Sequence, residues 1–241
     1  MVVGSGLTPD WLRKRSRVLT ALEGQLILGV EKPGKGLLID QVQSLIEHRN
    51  PFVVPVEPAE LAEVVALQQE KWHRVFPEKG SLDFSDLVVF PRRPGHDWPI
   101  LVPKRMTNNR LCKACSDRFP CHFWEDDYNN VMPAQSFTTL RWFRKSQEPD
   151  EGLQNLSANM LVESGTPCVT LQERLWMEID WFTETGDHLD RTFWTLVAGS
   201  RDQYGYVPYT TSSCMKGQFV VKVCQHSPNE ASSVLYSRAA G

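Results

Sequence analysis

The chain has 241 residues, 41% hydrophobic and 23% charged, with 26 Lys and Arg against 29 Asp and Glu and a net charge of -3. This balance is that of an ordinary soluble globular chain and excludes disorder as the main state; the length suits one large domain or two small ones. The near-neutral charge argues against gripping nucleic acid through its phosphates, and no apolar run approaches the roughly 20 residues of a membrane span, so neither nucleic acid nor membrane insertion is expected.

The first 80 residues read as a small, mainly helical region. Thr8 caps a helix that begins at Pro9 and carries Leu12, Val18, Leu19, Leu22 and Leu26. Pro33, Gly34 and Gly36 break it, and a second helix is expected over Leu37 to Glu47. Pro51 and Pro55 bracket an extended piece. A third helix starts near Pro58, with Leu61, Val64, Val65, Gln68 and Trp72, and stops between Pro77 and Gly80.

From residue 81 to 241 the pattern is mixed. Short apolar runs at Leu87 to Phe90 and Pro99 to Pro103 predict strands. A helix capped by Thr107 or Asn108 ends by Pro120, and Phe137 to Phe143 reads as a strand. Thr170 and Glu173 form a capping box for a helix with Leu171, Leu175, Ile179 and Phe182 on one stripe and Gly186 as its C-cap. From Trp194 the chain reads as β structure with loops. In Gly217 to His226 the alternation puts Phe219, Val221 and Val223 on one face, with Val220, Lys222, Cys224 and His226 on the other. The fold class expected is α+β, and no internal repeat stands out.

Several motifs carry candidate chemistry. Gly29 to Gly36 resembles a phosphate-binding loop, but Gly36 stands where a magnesium-binding hydroxyl belongs, and a helix–turn–helix connection fits better. Cys112, Cys115, Cys121 and His122 include enough ligands for zinc, yet their spacing is irregular and core packing is the preferred reading. The histidines are scattered, and none pairs with a nucleophile. Asp126 and Asp127 read as solvated surface. No cofactor and no catalytic residue is expected. The six cysteines do not form a disulfide scaffold, and free thiols are expected. The N-terminus shows no secretory signal, which points to the cytoplasm or a virion.

The stretch from 202 to 236 is rich in Tyr, Ser, Thr, Cys, His and Asn. Adaptable binding surfaces use such residues, because Tyr offers contact area at low entropy cost and Ser and Asn offer flexible hydrogen bonding. A polar sheet edge with loops has the same composition, so composition leaves both readings open.

The run from Thr170 to Asp190, Thr-Leu-Gln-Glu-Arg-Leu-Trp-Met-Glu-Ile-Asp-Trp-Phe-Thr-Glu-Thr-Gly-Asp-His-Leu-Asp, carries a resemblance. So do Trp194 to Arg201, Gly205 to Pro208, Leu235 to Ala239, and the upstream Asn155 to Asn159. Together they resemble the variable proteins of diversity-generating retroelements, over about residues 136 to 241. The resemblance implies a C-type lectin fold of the formylglycine-generating-enzyme branch. It also implies a noncatalytic, ligand-binding role. In such systems a reverse transcriptase misreads template adenines, and the mutated copy replaces the 3′ end of the gene, diversifying one surface. The variable region falls at about 194 to 241, and the partner is an unknown protein or cell-surface molecule.

Target codons in this family are mostly AAC or AAT. Randomising only their adenines can yield Tyr, Ser, Thr, Cys, His, Asn, Asp or Val, but not Lys, Gln, Glu, Met or Trp. The suspected ligand-binding positions obey this: Tyr204, Tyr206, Tyr209, Thr211, Ser213, Cys214, Val220, Cys224, His226, Ser227, Asn229, Ser232, Ser233 and Tyr236. Gln203, Met215, Lys216, Gln218, Lys222, Gln225 and Glu230 are then constant. Two departures stand out. Asn is nearly absent from the tail, and Ser212 or Ser213 stands where members often have Trp after Val-Pro. The loss of Asn fits a heavily mutated copy, and equally a relative that no longer diversifies.

On this reading Phe219, Val221, Val223, Trp194 and the 171–185 helix form a constant core. Gly199, Gly205 and Pro208 set turns, and Arg201 and Arg238 pin loops. Substitution at Tyr209 or Tyr236 is expected to leave stability almost unchanged. The alternatives are an interaction protein with a fixed tail, and an enzyme or metal protein of the same fold using Cys214 and Cys224.

Overall fold

The computed structural model describes residues 56–78, 80, 82–131 and 136–240. The chain divides into two units, Met1–Val53 and Val54–Gly241, and the description below concerns the second. The expected helices after Thr8 and over Leu37 to Glu47, with the glycine-rich loop between them, lie outside the described residues.

Helix α1, Pro58–Val75, starts on proline, whose fixed φ suits a first helical position. Its buried face is Gln68 and Trp72. The Trp72 ring stacks on Trp176 with centroids 3.7 Å apart and planes 10° apart. Its indole N–H donates to the Leu101 carbonyl at 2.6 Å. This helix therefore belongs to the core of the 54–241 unit, not to a separate region ending at residue 80. An amphipathic pattern shows that a helix has a buried face but not what covers it.

The next elements in order are β1 (Val88–Val89), β2 (Trp98–Val102), α2 (Asn108–Ser116), β3 (Cys121–Phe123) and β4 (Thr139–Phe143). Strands β1, β4 and β2 make a three-stranded sheet, with β1 parallel and β2 antiparallel to β4. Thr107 caps α2, its side chain accepting from the Arg110 N–H. A short helix α3 (Ala158–Glu163) precedes α4 (Leu171–Thr185). The α4 capping box between Thr170 and Glu173 is present, and Gly186 ends the helix in the left-handed conformation at φ 70°.

The second sheet is five-stranded. It adds β5 (Trp194–Leu196), β6 (Val207–Met215), β7 (Gln218–His226) and β8 (Leu235–Tyr236), in the order β3-β7-β6-β5-β8. Strands β6 and β7 form a hairpin closed by Lys216 and Gly217, both at positive φ, the requirement of the tight hairpin turn. The class is α+β. Among the described residues no helix is long and apolar enough to cross a membrane.

Helix α4 is the centre of the unit, and Leu171 to Asp180 is buried throughout, charged side chains included. Each charge therefore needs a partner. Arg141 pairs with Glu173 at 3.0 Å and Lys71 with Asp180 at 2.7 Å, while the Trp98 N–H donates to Asp180 at 3.0 Å. Arg174 lies 2.9 Å from Glu178 and donates twice to Asp190, at 2.9 and 2.6 Å. Arg238 donates to the other Asp190 oxygen at 2.8 Å and to the Ser146 and Gln147 carbonyls at 2.9 Å. The Thr210 hydroxyl completes the set, donating to Asp190 at 2.9 Å. Full burial works against the Asp190 carboxylate, yet the two arginines and their hydrogen bonds hold its pKa below the ordinary value.

Asp190→Ala leaves two arginines facing a cavity and is expected to cost about 3–5 kcal/mol in denaturant unfolding. The lowered Asp190 pKa gives a sign for pH. Its stabilisation is full above about pH 4, the unfolded carboxylate range, and is lost as the pH falls through the lower folded value. The acid-side loss of thermal stability is therefore expected to shrink in Asp190→Asn relative to the parent.

Candidate functional site

Neighbouring residues across the β6–β7 pair share a face. Thr210 faces Val223 and Ser212 faces Val221 on the inner side, where both valines are buried. Tyr209 opposite Cys224, Thr211 opposite Lys222 and Ser213 opposite Val220 then lie on the outer side, with His226 opposite Val207 at the strand end. The strand period thus assembles Tyr209, Thr211, Ser213, Val220, Cys224 and His226 on one face, as the alternation in the sequence expects.

At the end of this face lies an open groove of about 680 Å³. Tyr206, Tyr209, Cys224, Gln225, His226, Ser227 and Glu230 line it together with Trp124. Tyr209 stacks on Trp194 at 5.1 Å and meets His226 edge-on at 6.2 Å. Burial and the hydrogen bond with Cys224 push the Tyr209 hydroxyl up to about 12, so it is neutral near pH 7. The His226 ring bonds the Glu230 carbonyl at 3.2 Å.

The loop that presents Tyr204 and Tyr206 is held by Asp202. One Asp202 oxygen accepts from the Tyr204 and Tyr206 backbone N–H groups, each at 2.8 Å, and the other accepts from Gln225 at 2.9 Å. Gly205, at φ 86°, makes this turn possible. The two tyrosines stand 78% and 46% exposed. Large exposed aromatics on a pre-ordered loop bind at low entropic cost.

Trp124, 64% exposed, has no counterpart in the sequence reading. It follows β3, which pairs in parallel with β7, and its backbone N–H donates to the Val223 carbonyl at 3.0 Å. Two of the residues expected on the surface are covered. Thr211 is 7% exposed, with its hydroxyl 3.5 Å from the Asp190 carbonyl. Tyr236 is 5% exposed, sits in β8 and packs on Phe193 at 4.4 Å. Neither side chain is open to a ligand. The remaining positions Ser232 and Ser233 lie on the loop before β8, and Asn229 beside α3 accepts from Asn159 at 2.6 Å.

Among the turn formers, Pro208 lies inside β6 and is buried, not in a turn. Gly199 is required by close approach. A Cβ there would stand 2.6 Å from the Cys168 carbonyl oxygen and 2.7 Å from that of Val169. Arg201 and Arg238 do pin loops. Arg201 donates to the Ala198 and Ser200 carbonyls at 2.9 Å, and the Arg238 contacts are given above.

The cysteines do not assemble a reactive centre. Cys214 and Cys224 stand five register positions apart, about 17 Å, and on opposite faces. Cys112 and Cys115 are in the core, where burial pushes the Cys112 thiol up to about 12 and raises that of Cys115 further from ionisation. Cys121 is likewise raised to about 12 by burial, and His122 is exposed. Among the described residues no group of three or more His, Cys, Asp and Glu is arranged to hold a metal. The groove offers aromatic contact surface and hydrogen-bonding groups.

Comparison with family models, with curated proteins and with solved structures finds no match to this chain.

Burial predicts opposite outcomes for two tyrosines. Tyr204→Ala is expected to change unfolding stability by no more than about 0.5 kcal/mol. Tyr236→Ala, by removing a packed ring, is expected to cost about 3 kcal/mol in the same denaturant experiment.

Proposed function

We propose that this is a ligand-binding protein whose C-terminal surface, on a C-type lectin fold, is diversified by adenine-directed retrohoming of a diversity-generating retroelement. The observation that carries the proposal is convergence. Tyr206, Tyr209, Cys224, His226 and Ser227, all chosen by codon logic, meet on one open groove, over a sheet whose inner side buries Thr210, Ser212, Val221 and Val223. A surface that changes wholesale must not hold the fold together. Here stability resides beneath it, in α4 and the Asp190 network.

The same layout fits the expected division between variable and constant residues. Gln225, a residue that adenine mutagenesis cannot produce, ties the Asp202 loop at 2.9 Å and Glu125 at 3.1 Å. Lys216 occupies the hairpin turn. Thr211 and Tyr236 face packed surroundings, so diversity at these positions is restricted to side chains that fit. The ligand would be a protein or cell-surface molecule, gripped mainly by Trp124, Tyr204 and Tyr206.

Sequencing the DNA around the gene tests the reading. A near-copy of the segment encoding about Trp194 to Gly241 is expected beside a reverse-transcriptase gene, with differences confined almost entirely to template adenines. A gene without such a repeat, and with the same tail in many isolates, would overturn diversification and leave an interaction protein with a fixed surface.

A further inference from the structure

A second groove lies on the far side of the 227–230 segment. It holds about 540 Å³ and is lined by Asn159, Val162, Thr166, Cys168, Ala198, Gly199 and Arg201. Arg201 supplies the sole formal charge of this lining. Cys168 is not a counter-ion, because burial raises its thiol away from ionisation. Among the described residues no carboxylate pairs with Arg201, in contrast to Arg141, Arg174 and Arg238, each of which meets an acidic side chain.

The guanidinium is held, and no acidic side chain among the described residues neutralises it. Nη1 is committed to the Ala198 and Ser200 carbonyls at 2.9 Å. Among the described residues no hydrogen bond engages Nε or Nη2, and the side chain lines the groove. The wall behind it is rigid, because the Gly199 N–H donates to the Val169 carbonyl at 3.0 Å and the backbones approach too closely for a Cβ. A half-buried cation that lacks a counter-ion, on a pre-ordered concave wall, is a receptor for an anion.

We propose that this groove is a binding site for a carboxylate carried by a protein partner, with Arg201 as its receptor. One guanidinium edge matches one carboxylate in charge and in fork geometry. A phosphate dianion would find no second cation in the lining. Val162 and Ala198 offer apolar surface to the methylenes of an acidic side chain. The groove also adjoins the aromatic site. The Asn159 N–H donates to the Pro228 carbonyl at 3.0 Å and its side chain to Asn229 at 2.6 Å, while Ser227 and Glu230 line the other groove. On the function proposed above, and resting on it, the Arg201 groove is a constant anchor beside a variable surface. The carboxylate site itself does not depend on that reading.

The test is an acetate titration of the full chain, followed by backbone amide NMR at constant ionic strength, with chloride and inorganic phosphate as separate probes. Acetate is expected to move the Gly199 and Arg201 amides along a saturating curve, with chloride inert and phosphate no tighter than acetate. Arg201→Gln is expected to weaken acetate by about tenfold or more. If the lost carbonyl bonds unfold that variant, Val162→Glu serves instead. Val162 is an exposed position, and the substitution places an internal carboxylate in the groove. This variant is expected to abolish the acetate response without lowering Tm. A response that does not saturate, that chloride reproduces, or that survives Val162→Glu would overturn the site. Tighter binding of phosphate would overturn the choice of carboxylate. The gene-flanking sequence affects none of these outcomes.

Discussion

Asp190 is the constraint around which the 54–241 unit is organised. Its carboxylate is fully buried between Arg174 of α4 and Arg238 near the end of the chain, with Thr210 of β6 as a third donor. Its backbone is equally committed. The N–H donates to the Gln147 carbonyl at 3.0 Å, and the carbonyl accepts from Ser212 at 2.9 Å. The residue holds φ at 56°, a conformation that non-glycine residues rarely adopt and that persists only when the surroundings over-determine it. One residue, through side chain and backbone together, thus ties the central helix, the second sheet, the 146–147 loop and the C-terminal segment. A buried charge tolerates no vacancy among its partners, since each removal leaves an uncompensated ion in a low-dielectric interior.

That constraint divides the C-terminal part of the chain into two kinds of position. Residues aimed inward from β6 and β7 meet the core, as Val221 and Val223 do, or reach the network, as Thr210 does. Outward residues such as Tyr209, Cys224 and His226 meet the groove, whereas Thr211 on the same face is covered. Because the strand period is two, adjacent residues such as Tyr209 and Thr210 fall on different sides of this division. The loop at Asp202 extends the principle beyond the sheet. The Asp202 carboxylate accepts from backbone groups and from Gln225, so the side chains of Tyr204 and Tyr206 are presented without taking part in holding the loop. A surface of this design can change its exposed side chains while its frame stays the same, and the proposed function requires that property.

Legibility in the sequence followed the range of the interaction. The α4 capping box and its glycine C-cap were readable because every participant lies within a few residues of the helix end. The inward and outward faces of β7 were readable because alternation is local. Trp124 was not readable as a site residue. It reaches the groove through the parallel pairing of β3 with β7, about a hundred positions later in the chain, and no local pattern encodes that pairing. The burial of Tyr236 and Thr211 was hidden for the same reason: codon logic selects residue types, whereas Phe193 and Asp190 decide exposure. Helix α1 showed its apolar face in the sequence, but the stacking of Trp72 on Trp176 that carries it into the core spans a separation of that same order.

The sequence by itself determined the α+β class, the helix ends and which face of β7 is apolar, because hydrogen bonding and side-chain period within a few residues suffice for each. The tertiary structure alone decided that the charges of α4 are buried, that Asp190 joins two arginines distant in the chain, that Gly199 is demanded by a neighbouring backbone, and that Arg201 meets no acid among the described residues. These features depend on which segments meet when the core closes. Burial then turns an ordinary charged residue into a structural requirement or a binding group, according to whether a counter-charge has been brought beside it.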